Sequence, residues 1–326
     1  LGMNRVTKAM ILAAGFGERA RPLSLVRPKP LFPVLGRPLI AHSLDWLAGN
    51  GIQEVVINTH HLAARLEQYL AGLETGLNIR TVREEKILGT GGGVRNARPF
   101  LGPEPFVVIN GDILTDLDLA AVVAAHLAHR PPATLVLHDC PRFNNVAVAP
   151  DGPIRGFRGR WPMGTDGRPA GRARILAFTG VQIVEPEVFG RIPEGFSDLI
   201  ETYQEMIGDG RPPRAYVADG PAWREVGTPA SYLELQAELL KGRPEGPVFV
   251  APGARVSSRA VIEGWASLSE GAVVEPGAYI KDAVLWPGAR AAAGARVIGS
   301  VLADGAAARR DLVGEVLVEA EESKKE

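Results

Sequence analysis

The chain has 326 residues, 46% of them apolar and 22% charged, and its 36 basic and 37 acidic side chains leave a formal charge of -1. That length can bury a sizeable core in one large domain or two, and the charge balance gives no bulk attraction to nucleic acid or to an anionic membrane. Cys140 is the only cysteine, so no disulfide can crosslink the chain to itself, and a reducing, cytoplasmic setting is the economical expectation.

The first apolar run, AMILA at residues 9–13, is shorter than a membrane span and ends in a glycine loop, which reads as a strand and not a signal segment. A helical pattern closed by glycine follows at 38–51, then the Val/Ile-rich run EVVIN at 54–58 and a second helical pattern at 63–73. FVVIN at 106–110 is a third strand. LDLAAVVAAHLAHR at 117–130 is a helix with Asp116 as its expected N-cap, and ATLVLH at 133–138 is a fourth strand. This alternation predicts an α/β, Rossmann-like domain over 1–240, with a mostly parallel sheet and helices on both faces. Such sheets bind ligands beyond the carboxyl ends of their strands, so the loops after Ala13 and Asn110 are the places to look.

After a Pro/Gly linker at 241–247 the pattern changes. Aliphatic residues fall six apart at Val250, Val256, Ile262, Leu268, Val274 and Ile280; a shortened step to Leu285 restarts the count at Ala291 and Val297. Turns such as APGAR, EPGAY and WPGAR punctuate it. A period of six with one inward aliphatic residue per step predicts a left-handed parallel β-helix over 248–318, followed by a charged tail at 319–326.

The stretch LAAGFGERARPLSLVRPKPL at 12–31 combines small residues (Ala13, Ala14, Gly15, Gly17) with Arg19 and Lys29. Small residues let a ligand approach the backbone, the cations can pair with phosphate oxygens, and Pro28 and Pro30 restrict the chain on both sides of Lys29. A phosphate-rich ligand fits; a solvated basic loop with turn prolines is the competing reading. The dinucleotide and P-loop fingerprints are both absent. Arg21 and Arg27 receive no comparable role. Asp112, after Asn110 and Gly111, is placed to ligate Mg2+ or simply to cap its loop, and Glu225 in WREVGTP is either a partner carboxylate or an ordinary strand-end acid. The run Thr90, Gly91, Gly92, Gly93 suits either a sugar or base held by backbone groups or a structural turn.

Taken together, LAAGFGERARPLSLVRPKPL, LGTGGG, NGD at 110–112, FTGV at 178–181 and WREVGTPASYLEL resemble the sugar-1-phosphate nucleotidyltransferases, and the repeat resembles the C-terminal domain many of them carry. The resemblance implies nucleotidyl transfer from a nucleoside triphosphate to a sugar 1-phosphate, with Mg2+ and release of pyrophosphate. It implies that Leu12, Ala13, Ala14 and Gly15 line the nucleotide site, with Gly17 and Arg19 at the triphosphate and Lys29 near the phosphates. Asn110, Gly111, Gly91 and Gly92 would complete the nucleotide wall, Thr179 and Gly180 would face the sugar, and Asp112 would be the principal metal ligand. Glu225 stands where the family usually has aspartate. The family's further lysine is also missing, and Arg158 or Arg160 in FRGRWPMG would meet the sugar phosphate instead. LGTGGG resembles guanylyltransferases acting on mannose 1-phosphate, whereas LAAG and TGGG also resemble uridylyltransferases acting on N-acetylmuramate 1-phosphate; uridylyl and thymidylyl transfer to glucose 1-phosphate stay open. A hexapeptide-repeat acyltransferase would want a histidine near its coils, and all six histidines precede residue 139. The repeat is therefore expected to serve assembly, including homo-oligomer formation, or regulation. A non-catalytic regulatory or interaction protein is the other rival reading; loss of Arg19, Lys29 or Asp112 would have supported it, and all three are present.

Overall fold

The Val- and Ile-rich runs form a contiguous parallel sheet. In the computed structural model, which describes residues 6–165, 167, 169–218, 220 and 223–319, strand β1 (Lys8–Leu12) lies between β2 (Glu54–Thr59) and β4 (Phe106–Asn110), and β3 (Asn78–Arg83) extends the sheet beyond β2. All these pairings are parallel. Ala9, Met10, Ile11, Val107 and Val108 are fully buried, as expected of strands covered on both sides. Leu12 is in register with Asn58 on one side and with Asn110 on the other, so three carboxyl ends finish side by side.

Beyond β4 the sheet becomes antiparallel. β5 (Ala133–His138), β6 (Val146–Val148) and β7 (Ile154–Phe157) precede the long strand β8 (Arg174–Val184), which pairs antiparallel with β4, β5 and β6; β7 lies antiparallel on β6, and β9 (Arg214–Val217) lies parallel to β5. The expected helices form at Leu39–Gly49, Ala63–Ala71 and Leu119–His129. The cap of the last one is not Asp116. Asp118 takes that place, its side chain accepting the Ala121 amide. Leu117 is held outside the helix because its amide donates to Thr115 Oγ1 and its carbonyl accepts from Trp46 Nε1. Among the described residues no helix is long and apolar enough to cross a membrane.

The chain divides into two compact units, each built from two stretches: the described residues up to Gly15 with Ser43–Trp223, and Phe16–His42 with the described residues from Arg224 onward. The second unit contains the helix Pro229–Lys241, started by a capping box between Thr228 and Ser231, and the repeat. Three repeats make one coil, and the inward residues stack in three rows of parallel strands. One row is Val256, Val274, Ala291 and Ala308; another is Ile262, Ile280, Val297 and Leu312; the third is Val250, Leu268, Leu285, Leu302 and Leu317. The shortened step from Ile280 to Leu285 keeps the rows aligned. Val274, Ile280, Leu285, Ala291 and Val297 are buried, whereas Val250 is 45% and Val256 38% exposed. Both belong to the first coil, which has a neighbouring coil on one side only. A coil buries its core by stacking, so an end coil stays partly open. Of the expected charged tail, residues 320–326 lie outside the described residues.

Candidate active site

In the first unit the nucleotide-site candidates Leu12 to Gly15, Asn110 and Gly111 sit where the three parallel strands end. Ala13 and Ala14 are buried and Gly15 is exposed. The Ala13 amide donates to Asn58 Oδ1 at 2.8 Å, Asn58 Nδ2 donates to Glu84 Oε1 at 2.8 Å, and Glu84 Oε2 accepts the Leu88 amide at 2.9 Å. Asn58 and Glu84 are almost fully buried, so this chain of bonds fixes both the loop after β1 and the approach to the glycine run. Neither residue stood out in the sequence. The available signal was a polar residue closing the EVVIN run and an acid opening EEKILG. The Gly111 amide donates to the Leu12 carbonyl at 2.9 Å and joins the loops after β1 and β4. Asp112 follows in the turn before Ile113 and is half-buried.

The FTGV segment is a bulge in β8. Its pairing with β5 moves from Phe178 opposite Leu137 to Gln182 opposite Leu135, leaving surplus residues between. Thr179 is buried, and its hydroxyl donates to the Val136 carbonyl at 2.9 Å and accepts the Val181 amide at 3.3 Å, which satisfies the bulge internally. Its carbonyl accepts from Trp223 Nε1 at 2.6 Å. Gly180 adopts φ +83°, and a Cβ there would come within 2.7 Å of Asn110 Nδ2. The bulge thus sets Thr179 and Gly180 beside Asn110 at the carboxyl end of β4, a placement bulges commonly serve near sites.

The glycine run opens the helix Gly89–Asn96. The Gly91 amide donates to the Ser197 carbonyl at 2.9 Å, and a Cβ on Gly92 would lie 2.3 Å from the Gly195 carbonyl. Close packing against residues 195–198 accounts for glycine at both positions whether or not a ligand is near. Arg158 pairs with Asp198 at 2.9 Å, and both Nη atoms of Arg160 bond Glu201 at 2.7 Å. Arg160 holds the exposed Glu201 carboxyl below the usual carboxylate range. Each arginine is therefore already matched by an acid.

In the second unit, Gly17 adopts φ +66°, and a Cβ there would lie 3.0 Å from Lys29 Cε, so this glycine lets the lysine side chain pass. Ser24 Oγ donates to the Gly17 carbonyl at 2.8 Å. Lys29 begins a tight turn, Lys29–Leu31, between the buried Pro28 and Pro30; the Leu31 amide donates to the Pro28 carbonyl and the Phe32 amide to the Lys29 carbonyl. Arg19 Nη2 donates to Glu225 Oε1 at 2.6 Å. A Cβ on Gly227 would meet Glu225 Oε1 at 2.9 Å and Arg19 Nη1 at 3.3 Å, so this glycine leaves room for the pair. The second unit thus carries a guanidinium and an ammonium group on short turns and a carboxylate at the end of the strand Trp223–Glu225, groups whose chemistry suits phosphate oxygens and a hard cation. Among the described residues no three His, Cys, Asp or Glu side chains cluster as a metal cage. Mg2+ commonly binds through one or two carboxylates together with substrate phosphates, so the hard carboxylate oxygens of Asp112 in the first unit are chemically suited to it without such a cage.

The Nucleotidyl transferase family matches residues 8–143. The chain is 32% identical to a mannose-1-phosphate guanylyltransferase of Mycobacterium tuberculosis, over 88% of this chain and 81% of that protein. It is 37% identical to an N-acetylmuramate alpha-1-phosphate uridylyltransferase of Neisseria meningitidis, over 71% of this chain and 97% of that one. Among solved structures it resembles a UDP-glucose pyrophosphorylase from Acinetobacter baumanii, with TM-score 0.61 and 20% identity over 74% of this chain and 95% of the other. HddC from Yersinia pseudotuberculosis, complexed with GMP-PN, gives TM-score 0.59 and 19% identity over 72% and 100%. These structures share the fold, and the two sequence relatives go further: the chain belongs to the sugar-1-phosphate nucleotidyltransferases.

Proposed function

We propose that the protein transfers a guanylyl group from GTP to mannose 1-phosphate, giving GDP-mannose and pyrophosphate. The observation that carries this reading is extent taken together with identity. The guanylyltransferase relative is 32% identical over 88% of the chain, the N-acetylmuramate uridylyltransferase relative is matched almost whole by 71% of it, and a glucose-1-phosphate uridylyltransferase relative that spans 90% is only 27% identical. The sequence LGTGGG at 88–93 supports the same choice. Uridylyl transfer to N-acetylmuramate 1-phosphate is the second reading, because that relative has the higher identity, 37%.

In the reaction a non-bridging oxygen of the sugar phosphate attacks the α-phosphorus. The bond between the α-phosphorus and its β-bridging oxygen breaks, and pyrophosphate leaves with the electron pair. The attacking oxygen is already anionic, so alignment and charge neutralisation matter more than a general base. Arg19 and Lys29 are the proposed cationic groups for the triphosphate, and Ala13 to Gly15 the proposed backbone contact for the nucleotide. Asp112 is the proposed Mg2+ ligand, and Glu225 is the second acid that the family pattern implies. When bound, Mg2+ would neutralise phosphate charge. His60, which follows the EVVIN strand, is given no catalytic role; its Nδ1 lies 2.9 Å from the Glu84 carbonyl.

The test is pyrophosphate release with Mg2+ and a panel of GTP, UTP and dTTP against mannose, glucose and N-acetylmuramate 1-phosphates. GTP with mannose 1-phosphate should show the highest kcat/KM. A preference for UTP with N-acetylmuramate 1-phosphate would replace this reading with the second one.

A further inference from the structure

We propose that Asp304, at a corner of the β-helix, is a positioning residue for the Lys29 turn and acts through Arg27; this rests on the role proposed for Lys29. Arg27 found no use in the sequence, yet its guanidinium makes three directed contacts. Nε and Nη2 donate to Asp304 Oδ2 and Oδ1 at 2.9 and 2.7 Å, and Nη1 donates to the Leu31 carbonyl at 3.2 Å. The fork is bidentate, the geometry in which an arginine constrains direction as well as distance. Arg27 and Asp304 are only 21% and 29% exposed, which limits screening of the pair.

The contacts bracket Lys29. Arg27 precedes it by two residues, and Leu31, whose carbonyl Arg27 grips, follows it by two. One guanidinium therefore closes the turn and pins it to the coil. Trp286 occupies the matching corner one coil earlier, where the Gly305 amide donates to the Pro287 carbonyl, and its ring lies 5.5 Å from the Arg27 guanidinium carbon. Phe32, the next residue along, packs on Trp286 at 5.0 Å and on Tyr232 at 5.7 Å between ring centres. The turn that carries Lys29 is thus seated on the β-helix by one ion pair and one aromatic cluster. Positioning matters because small displacements of a catalytic group cost large factors in rate.

The experiment uses the full chain and two readouts. In Asp304→Ala, hydrogen exchange at the Leu31 and Phe32 amides should accelerate at least roughly tenfold while the Phe106–Asn110 strand is unchanged; unchanged exchange at the turn would overturn the proposal without any reference to activity. In the pyrophosphate assay, Asp304→Ala should lower kcat about tenfold. Made in a Lys29→Ala background, the same change should leave the residual rate as it is, because its effect passes through Lys29. An equal loss in both backgrounds would mean a general structural role and would also overturn the proposal. Arg27→Lys keeps the charge but loses the fork, so it should reproduce the Asp304→Ala exchange pattern; wild-type exchange in that variant would count against the bidentate clamp.

Discussion

Tyr232→Phe removes one oxygen from the aromatic cluster, and the structure says what that oxygen does. Tyr232 is fully buried; its hydroxyl donates to the Pro33 carbonyl and accepts from Trp286 Nε1 at 2.9 Å. Gln236 Nε2 donates to the same Pro33 carbonyl at 2.7 Å, so that acceptor keeps a partner in the variant. The indole N–H does not: Trp286 is fully buried and loses its hydrogen bond. Leaving one buried donor unpaired costs about 2 kcal/mol, and the ring itself is preserved, so no cavity term is added. For a cooperative unit of this size the loss corresponds to a melting temperature lower by roughly 4–8 °C. The assay is a double-mutant cycle by urea unfolding. In a Trp286→Phe background there is no N–H to orphan, and Tyr232→Phe should then cost less than about 1 kcal/mol. Equal costs in the two backgrounds would refute the reasoning, because the penalty could not then come from the indole.

Three further outcomes follow from the described geometry. Asp112→Ala should lower turnover at least roughly a hundredfold with the preferred substrate pair; a near-native rate in the pyrophosphate assay would remove Asp112 from the metal site. Glu225→Asp withdraws the carboxylate by one methylene from Arg19, now 2.6 Å away, and the half-saturating Mg2+ concentration should shift several-fold; an unchanged titration would show that the extra length is unused. His126 is buried against Thr134 and Glu185, and burial, reinforced by the nearby Arg130 charge, lowers its pKa to about 4. The folded state therefore refuses a proton that the unfolded chain accepts below about pH 6.5, so stability falls as pH drops from there toward 4, by about 1 kcal/mol at pH 5.5. Burial raises the Glu185 pKa and offsets part of the loss at more acid pH. Urea midpoints at pH 7.5 and 5.5 measure the difference, and His126→Gln should abolish the His126 part; the same slope in that variant would place the titration elsewhere.

Much of the fold was legible because its signals are local. A run of Val and Ile bounded by glycine reads as a buried strand before any partner is known, and a hexapeptide period requires only the next coil. The rows Val256–Val274–Ala291 and Ile262–Ile280–Val297 follow from counting, including the shortened step at Leu285. The need for glycine at Gly17 and Gly180 was legible as well, since both adopt positive φ in turns or bulges that the small residues of the motifs announce.

What the sequence by itself determined, then, was the two architectures, the family, and the placing of the loops after Ala13 and Asn110 at the carboxyl ends of parallel strands. Tertiary structure decided who holds those loops. Asn58 and Glu84, 26 residues apart, form one buried hydrogen-bonded chain; Arg27 meets Asp304 across 277 residues of sequence; Thr179 spends its hydroxyl inside a bulge. Arg158 and Arg160, expected at a sugar phosphate, are matched to Asp198 and Glu201. The physical reason is common to all four cases. Hydrogen bonds and ion pairs act over a few ångströms, so a polar side chain's role depends on what folding brings beside it, whereas hydrophobic period is written into the order of residues themselves.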